Sequence, residues 1–219
     1  MKALVTGGRG RLGEAIVQRL TRDGWSVFAA GRADGDVSKP EEARLLVERA
    51  VRELGGLDLL VNCAGEGFAP KPFDELTEAD WDAAFGATAK GSFFVTQAAA
   101  PHLRASGGCV VMVEDVAGYQ PWPAFAAHSA AKAAQAMLTR VLARALAPEV
   151  RVCGVAPGPV AIERGQEERR AAETLLERVG SPEDVAAAVA YLAGAGFVTG
   201  TTLFVDGGRA LKSGAASGP

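Results

Sequence analysis

Short, wholly apolar runs alternate with longer amphipathic ones along the chain, and no other feature narrows the fold so far. "KALVT", "WSVFAAG", "LDLLVNCAG", "GGCVVMVED", "EVRVCGVAPG" and "TTLFVDGG" are separated by stretches of helical pattern. In the first such stretch, "RLGEAIVQRLTRDG", Leu12, Ile16, Val17 and Leu20 share one helical stripe and Gly24 ends it. A strand that is apolar on both faces has to be covered on both. Repeated strand–helix units of this kind predict a single α/β domain, a doubly wound parallel sheet with helices on both faces.

"TEADWDAAFGATAKGSFFVTQAAAPHLRAS" is predicted as one long helix opened by a Thr cap, and "SPEDVAAAVAYLAGAG" as a helix with Pro182 in its first turn. One interval breaks the rhythm. Only a few residues separate "VFAAGR" from "DVSKPEE", whereas a crossover between parallel strands takes about a dozen or more. A helix is missing there, and Asp34 to Val37 is expected to form a very short edge strand or an extended turn. The domain is expected over residues 1–208, with 209–219 ("RALKSGAASGP") a small, polar tail that frays or lies on the surface.

The net charge of -3 over 219 residues, with no basic block, gives no electrostatic reason to expect nucleic acid or an anionic membrane as partner. No apolar run approaches the ~18 residues of a membrane span, and "MKALVTGG" reads as a buried strand rather than a leader. Cys63, Cys109 and Cys153 stand far apart without metal spacing. They are expected to be reduced thiols in a cytoplasmic protein, with no metal site.

The first strand runs into "TGGRGRLG", where Gly8, Gly10 and Gly13 satisfy G-x-G-x-x-G between a strand and a helix. Glycines there let backbone approach a pyrophosphate, and the helix N-terminus supplies donors and positive potential. Gly7, Arg9, Arg11 and Leu12 are therefore expected to contact a dinucleotide. At the end of the second strand an acid would hold a ribose 2′-hydroxyl, while an arginine accommodates a 2′-phosphate. The chain has Arg32 there, with Arg9 nearby in the loop, which points to NADP(H).

With "DVS", "NCAG", the lysine of "HSAAK", "VAPGPV" and "SPEDVAAAVAYLAG", the chain resembles the short-chain dehydrogenase/reductase family over nearly its full length. The resemblance implies a Rossmann fold with a sheet of about seven strands, a nicotinamide cofactor, a small-molecule substrate and a homodimer or homotetramer. It implies that Asp36 and Val37 lie near the adenine, that Asn62, Ala64 and Gly65 line the cofactor path, and that Pro157 and Gly158 flank the nicotinamide. It also implies that Lys132 holds the nicotinamide ribose, and that "AIERGQEERRAAETLLERVG" is a lid over the substrate. The charge of that segment equally fits a solvated helix face.

The family's usual catalytic set is Asn, Ser, Tyr and Lys. By register those positions are Thr88, Asp115, His128 and Lys132 here, so only the lysine is kept. Arg11 in the glycine loop and Asp115 in the serine's place are similar to the pteridine reductases. Four residues apart on a helix, His128 and Lys132 project together, and Asp115 follows a strand at the edge where such sheets bind ligands. An imidazole passes protons near neutrality, so Asp115 and His128 are expected to relay a proton to a C=O or C=N bond, in a pterin-like ring, after hydride transfer. If His128 is a bystander, Tyr119 is the spare acid. Asp115 also reads as a plain cap after its strand. Trp122 and Phe125 either wall a flat substrate or simply pack. Two functions follow: an NADP(H)-dependent reductase, or a catalytically silent dinucleotide-binding sensor or assembly partner.

Overall fold

The computed structural model describes residues 1–65, 69–160, 162 and 165–212. Strands β1 (Lys2–Thr6), β2 (Ser26–Ala30), β3 (Leu59–Asn62), β4 (Cys109–Val113), β5 (Arg151–Pro157) and β6 (Thr202–Val205) form one parallel sheet in the order β2-β1-β3-β4-β5-β6. Helices α1 (Arg11–Arg22), α2 (Pro40–Leu54), α3 (Glu78–Phe85), α4 (Ser92–Ser106), α5 (Ala126–Leu146), α6 (Glu167–Ala171) and α7 (Pro182–Gly194) alternate with them.

Each face of the sheet carries its own core, as the unbroken apolar strands require. Leu4, Leu60, Val110, Met112 and Val152 pack against α2, α4 and α5. Their neighbours Ala3, Val5, Leu59, Val61, Val111 and Val155 pack against α1 and α7. Side chains alternate between faces along a strand, so every residue of β3 and β4 is buried. Among the described residues no helix is long and apolar enough to cross a membrane.

Two expectations need correction. The sheet has six strands among the described residues, not about seven. Of the two forms expected for Asp34 to Val37 the turn is the one observed: a 3-10 turn spans Arg32–Asp34, the chain enters α2 at Pro40, and β2 is the edge. The helix opened by Thr77 is not uniform either. Its capping box with Asp80 holds, but a π-helical turn at Gly86–Gly91 separates α3 from α4. Single π turns inside helices gather at functional sites, and this one buries Thr88. The segment expected as a tail opens with a buried residue. Arg209 is 2% exposed and opens a 3-10 turn to Leu211. A long cationic side chain made the segment read as surface; its burial needs the partners described below. Residues 213–219 lie outside the described residues.

The chain passes from β1 to β2 on one side, then returns to place β3 on the other side of β1. Strand order reverses there, and the carboxyl ends beside such a reversal leave the crevice in which doubly wound sheets bind ligands.

Candidate active site

The crevice is built by close approach of two loops. Gly7 has φ +65°, and a Cβ on it would stand 2.8 Å from the Cys63 carbonyl. A Cβ on Gly13 would stand 2.1 Å from the Gly7 carbonyl, so α1 packs on its own loop only with glycine there. Thr6 ties the loops together by accepting from the Cys63 and Ala64 amides at 3.1 and 3.2 Å. Helix α1 opens at Gly10 with no side chain capping it, and a Cβ at Gly10 would meet nothing nearer than 3.4 Å. Gly65 is equally open, its nearest neighbour being Thr88 Oγ1 at 3.9 Å from an added Cβ. Buried Asn62 donates to Thr96 Oγ1 at 2.9 Å, while its Oδ1 has no partner among the described residues. Uncapped helix donors above a glycine floor, with an orphaned acceptor beside them, fit a dinucleotide. Pro157 ends β5 in the same row, and Gly158 bonds to Val205 at 3.0 Å.

The arginines expected at the cofactor have partners of their own. Arg11 reaches the Ile162 carbonyl at 3.3 Å, linking the glycine loop to the turn after β5. Arg9 pairs with Asp34 at 2.8 Å. Asp34, its side chain only 7% exposed, also accepts from the Gly31 amide at 2.9 Å and from Arg49 at 3.3 Å. Arg32 lies in the 3-10 turn that ends at Asp34. Leu12 packs into the core under α1. Asp36 accepts from the Ser38 amide at 3.0 Å; this bond, with the Ser38 hydroxyl and the charges of Lys39 and Arg32, holds its carboxyl below the usual range. Val37 packs on the core beside the π turn.

Asp115 and His128 meet. Asp115 Oδ1 caps the 3-10 turn Val116–Gly118 by accepting from the Ala117 amide at 2.8 Å. Its Oδ2 stands 3.4 Å from His128 Nε2. Asp115 is therefore both the cap and the histidine's partner, one oxygen for each. The meeting depends on Gly118: a Cβ there would stand 2.8 Å from the Lys132 backbone, so glycine lets α5 close down on the loop after β4. Lys132, one turn on, is buried and donates to the Val113 carbonyl at 2.8 Å and to Gln135 Oε1 at 3.1 Å. Gln135 in turn donates to Ser92 Oγ at 2.8 Å, at the exit of the π turn. Burial pulls the Lys132 ammonium below its usual range, and the negative charge of Asp115 is the largest effect opposing this.

Tyr119, expected as the spare acid, is tied to other groups. Its hydroxyl donates to Glu114 Oε2 at 2.5 Å and lies 3.0 Å from Thr202 Oγ1. Burial first, and the Glu114 hydrogen bond second, raise its pKa. Glu114 itself is 2% exposed and takes a further bond from Thr139 Oγ1 at 2.6 Å. Burial raises the Glu114 pKa against those bonds. A carboxyl raised on folding stabilises fully below the ordinary glutamate value, and that stability is lost as pH rises through the folded value. Tm is therefore expected to fall as pH climbs from about 4.5 upward, and Glu114→Gln should flatten that slope. Equal slopes in thermal melts of the two proteins would sink this assignment.

Sequence reasoning missed Asp34, Glu114's network and the buried Arg209. Gly154, a glycine inside an apolar strand, was the available sign of the second, because such a glycine marks close approach by another group. Nothing local marks the other two.

The family described as enoyl-(acyl carrier protein) reductase matches the chain over residues 5–210. 3beta-Hydroxysteroid dehydrogenase 1 of Eggerthella lenta is 36% identical over 96% of this chain and 94% of its own. The 4-formylbenzenesulfonate dehydrogenase of Comamonas testosteroni is 36% identical over 94% of this chain and 96% of its own. Among solved structures, the 3-ketoacyl-(acyl-carrier-protein) reductase of Brucella melitensis, complexed with NADH, superposes with a TM-score of 0.89 at 27% identity, covering 95% of this chain and 98% of that one. A glycine-lined crevice at the strand reversal, a family model that matches residues 5–210 and relatives that match over nearly the whole chain make this chain a member of the short-chain dehydrogenase/reductase family of oxidoreductases.

Proposed function

We propose that the protein is an NADP(H)-dependent reductase that delivers hydride to a C=O or C=N bond in a flat, conjugated substrate, of which a pterin-like ring is one form. The observation that carries this reading is the Asp115–His128 contact, at the carboxyl edge of the sheet and one helical turn from Lys132. Bound in the crevice, a reduced nicotinamide supplies the hydride. Asp115 Oδ2 orients the imidazole through Nε2. His128 holds the proton that the reduced oxygen or nitrogen takes up. Lys132, anchored by Val113 and Gln135, keeps a positive charge near the cofactor ribose. Trp122 and Phe125, edge to face with centroids 6.0 Å apart, offer a flat wall after Asp115.

The preference for NADP(H) draws on the end of β2. Asp34 has both oxygens engaged by Gly31, Arg9 and Arg49, so it is a poor acceptor for a ribose hydroxyl, and Arg9 is the more exposed of the two cations paired with it. Arg9→Ala is expected to weaken NADPH by about tenfold through loss of a charge-assisted contact, and to leave NADH no worse. An unchanged ratio of the two affinities would remove Arg9 from the phosphate site.

The test of the reading is NADPH oxidation against dihydropterins and simple carbonyls, with NADPH binding measured separately. Turnover with any of them establishes the reductase. Tight NADPH binding without turnover on the whole panel favours the silent sensor, a reading to which the occupied ammonium of Lys132 also lends itself.

A further inference from the structure

Arg209 follows β6 directly after Asp206-Gly207-Gly208, and both glycines have positive φ, +61° and +80°. That turn sends the arginine inward, where it is 2% exposed. Its guanidinium lies over the Trp122 ring, 4.3 Å from the centroid. Trp122 packs with Val116 and Ala117, the residues that follow Asp115. Arg209 thus lies against the aromatic wall of the candidate active site, and the charge of Asp115 is among those that act on it.

Its hydrogen bonding is incomplete. Nη2 is 2.8 Å from Glu173 Oε2, but among the described residues neither Nη2 nor Nε has an aligned acceptor. Nε and Nη2 form one edge of the guanidinium, the fork that takes both oxygens of a carboxylate. Asp206 does not fill it, because its two oxygens accept from the Gly208 and Ala210 amides at 2.8 Å each. Glu173 is shared: Arg170 Nη1 holds both its oxygens at 3.1 and 3.2 Å. Two guanidiniums therefore face one carboxylate. A buried donor pair left without acceptors is costly, and an arginine kept there against that cost calls for an anion that completes it.

We infer that Arg209 is a substrate anchor: its open fork takes a carboxylate carried by the substrate, with Glu173 as the internal group that occupies its neighbourhood until the substrate arrives. The substrate class is then a carbonyl or imine compound that also bears an acid group. This deepens the reductase reading and rests on it for the reaction, but not for the binding.

The probes are para-formylbenzoate and its neutral counterpart para-formylbenzamide for turnover, and terephthalate and its diamide for calorimetric binding. The wild type is expected to favour the acid over the amide in kcat/KM by about 10- to 100-fold, the scale of charge-assisted hydrogen bonds. Arg209→Lys, which keeps the charge and loses the fork, should bring that ratio close to one. Glu173→Gln removes the competing carboxylate and should tighten terephthalate several-fold. A merely structural ion pair predicts the reverse for Glu173→Gln, a lower Tm with no change in terephthalate affinity, and that result overturns the proposal even if Arg209→Lys fails to fold. Aldehydes reduced without preference for charge also overturn it and leave the reductase reading intact. Terephthalate binding that tightens in Glu173→Gln, with neither aldehyde reduced, upholds the anion site and counts against the reductase.

Discussion

His128→Phe is expected to lower turnover by about a thousandfold while NADPH still binds, the usual scale of a lost proton donor. Phenylalanine fills a similar volume on α5, where His128 is 8% exposed, so the fold should tolerate it. Asp115→Ala should give a loss of the same order, because it removes the carboxylate 3.4 Å from His128 Nε2. The double variant should be little worse than either single one, as for residues that act as a unit. Steady-state NADPH oxidation, with cofactor binding measured in the same proteins, decides it. Turnover at the wild-type level in His128→Phe would make the histidine a bystander.

Gly154→Ala should be the most damaging conservative change in the sheet. A Cβ there would stand 2.1 Å from Glu114 Oε1, 2.6 Å from its Cδ and 2.8 Å from Thr202 Oγ1. The carboxyl cannot simply swing away, because Tyr119, Thr139 and Thr202 hold it and it is buried. Overpacking and broken hydrogen bonds together are expected to cost about 2–4 kcal/mol, or roughly 5–15 °C in Tm for a domain of this size. Glu114→Ala in the same chain should restore part of that loss, since the two groups compete for one space. A simple sum of the two single effects in thermal melts would show that they do not.

The elements were legible because each has a local cause. The apolar runs became β1 to β6, and Thr77 and Ser181 cap the helices they precede. The glycine loop was legible for the same reason: a tight turn between strand and helix has its cause within a few residues. The seventh strand was not, since it came from the resemblance and the short interval after β2 holds no room for it. The π turn escaped because Gly86–Gly91 carries the same apolar spacing as the helices on either side.

Side-chain partnerships divide along the same line. Asp115 and His128 could be paired from sequence because strand end and helix register place both on one edge, and the structure brings them within 3.4 Å. Tyr119 could not be placed. It stands four residues beyond Asp115, yet its hydroxyl turns to Glu114 and Thr202, a residue of another strand. Arg9 and Asp34 are likewise joined across two loops, and Arg209 with Trp122 and Glu173 across three segments.

The sequence by itself determined the layered sheet, the glycine-rich turn and the edge on which the candidate site lies, because periodicity and short-range backbone geometry act within one element or its junction. Tertiary structure alone decided which charges are paired, which hydroxyl is withdrawn and which arginine keeps an open fork. Those outcomes depend on burial and on partners far apart in the chain, and no local pattern records either.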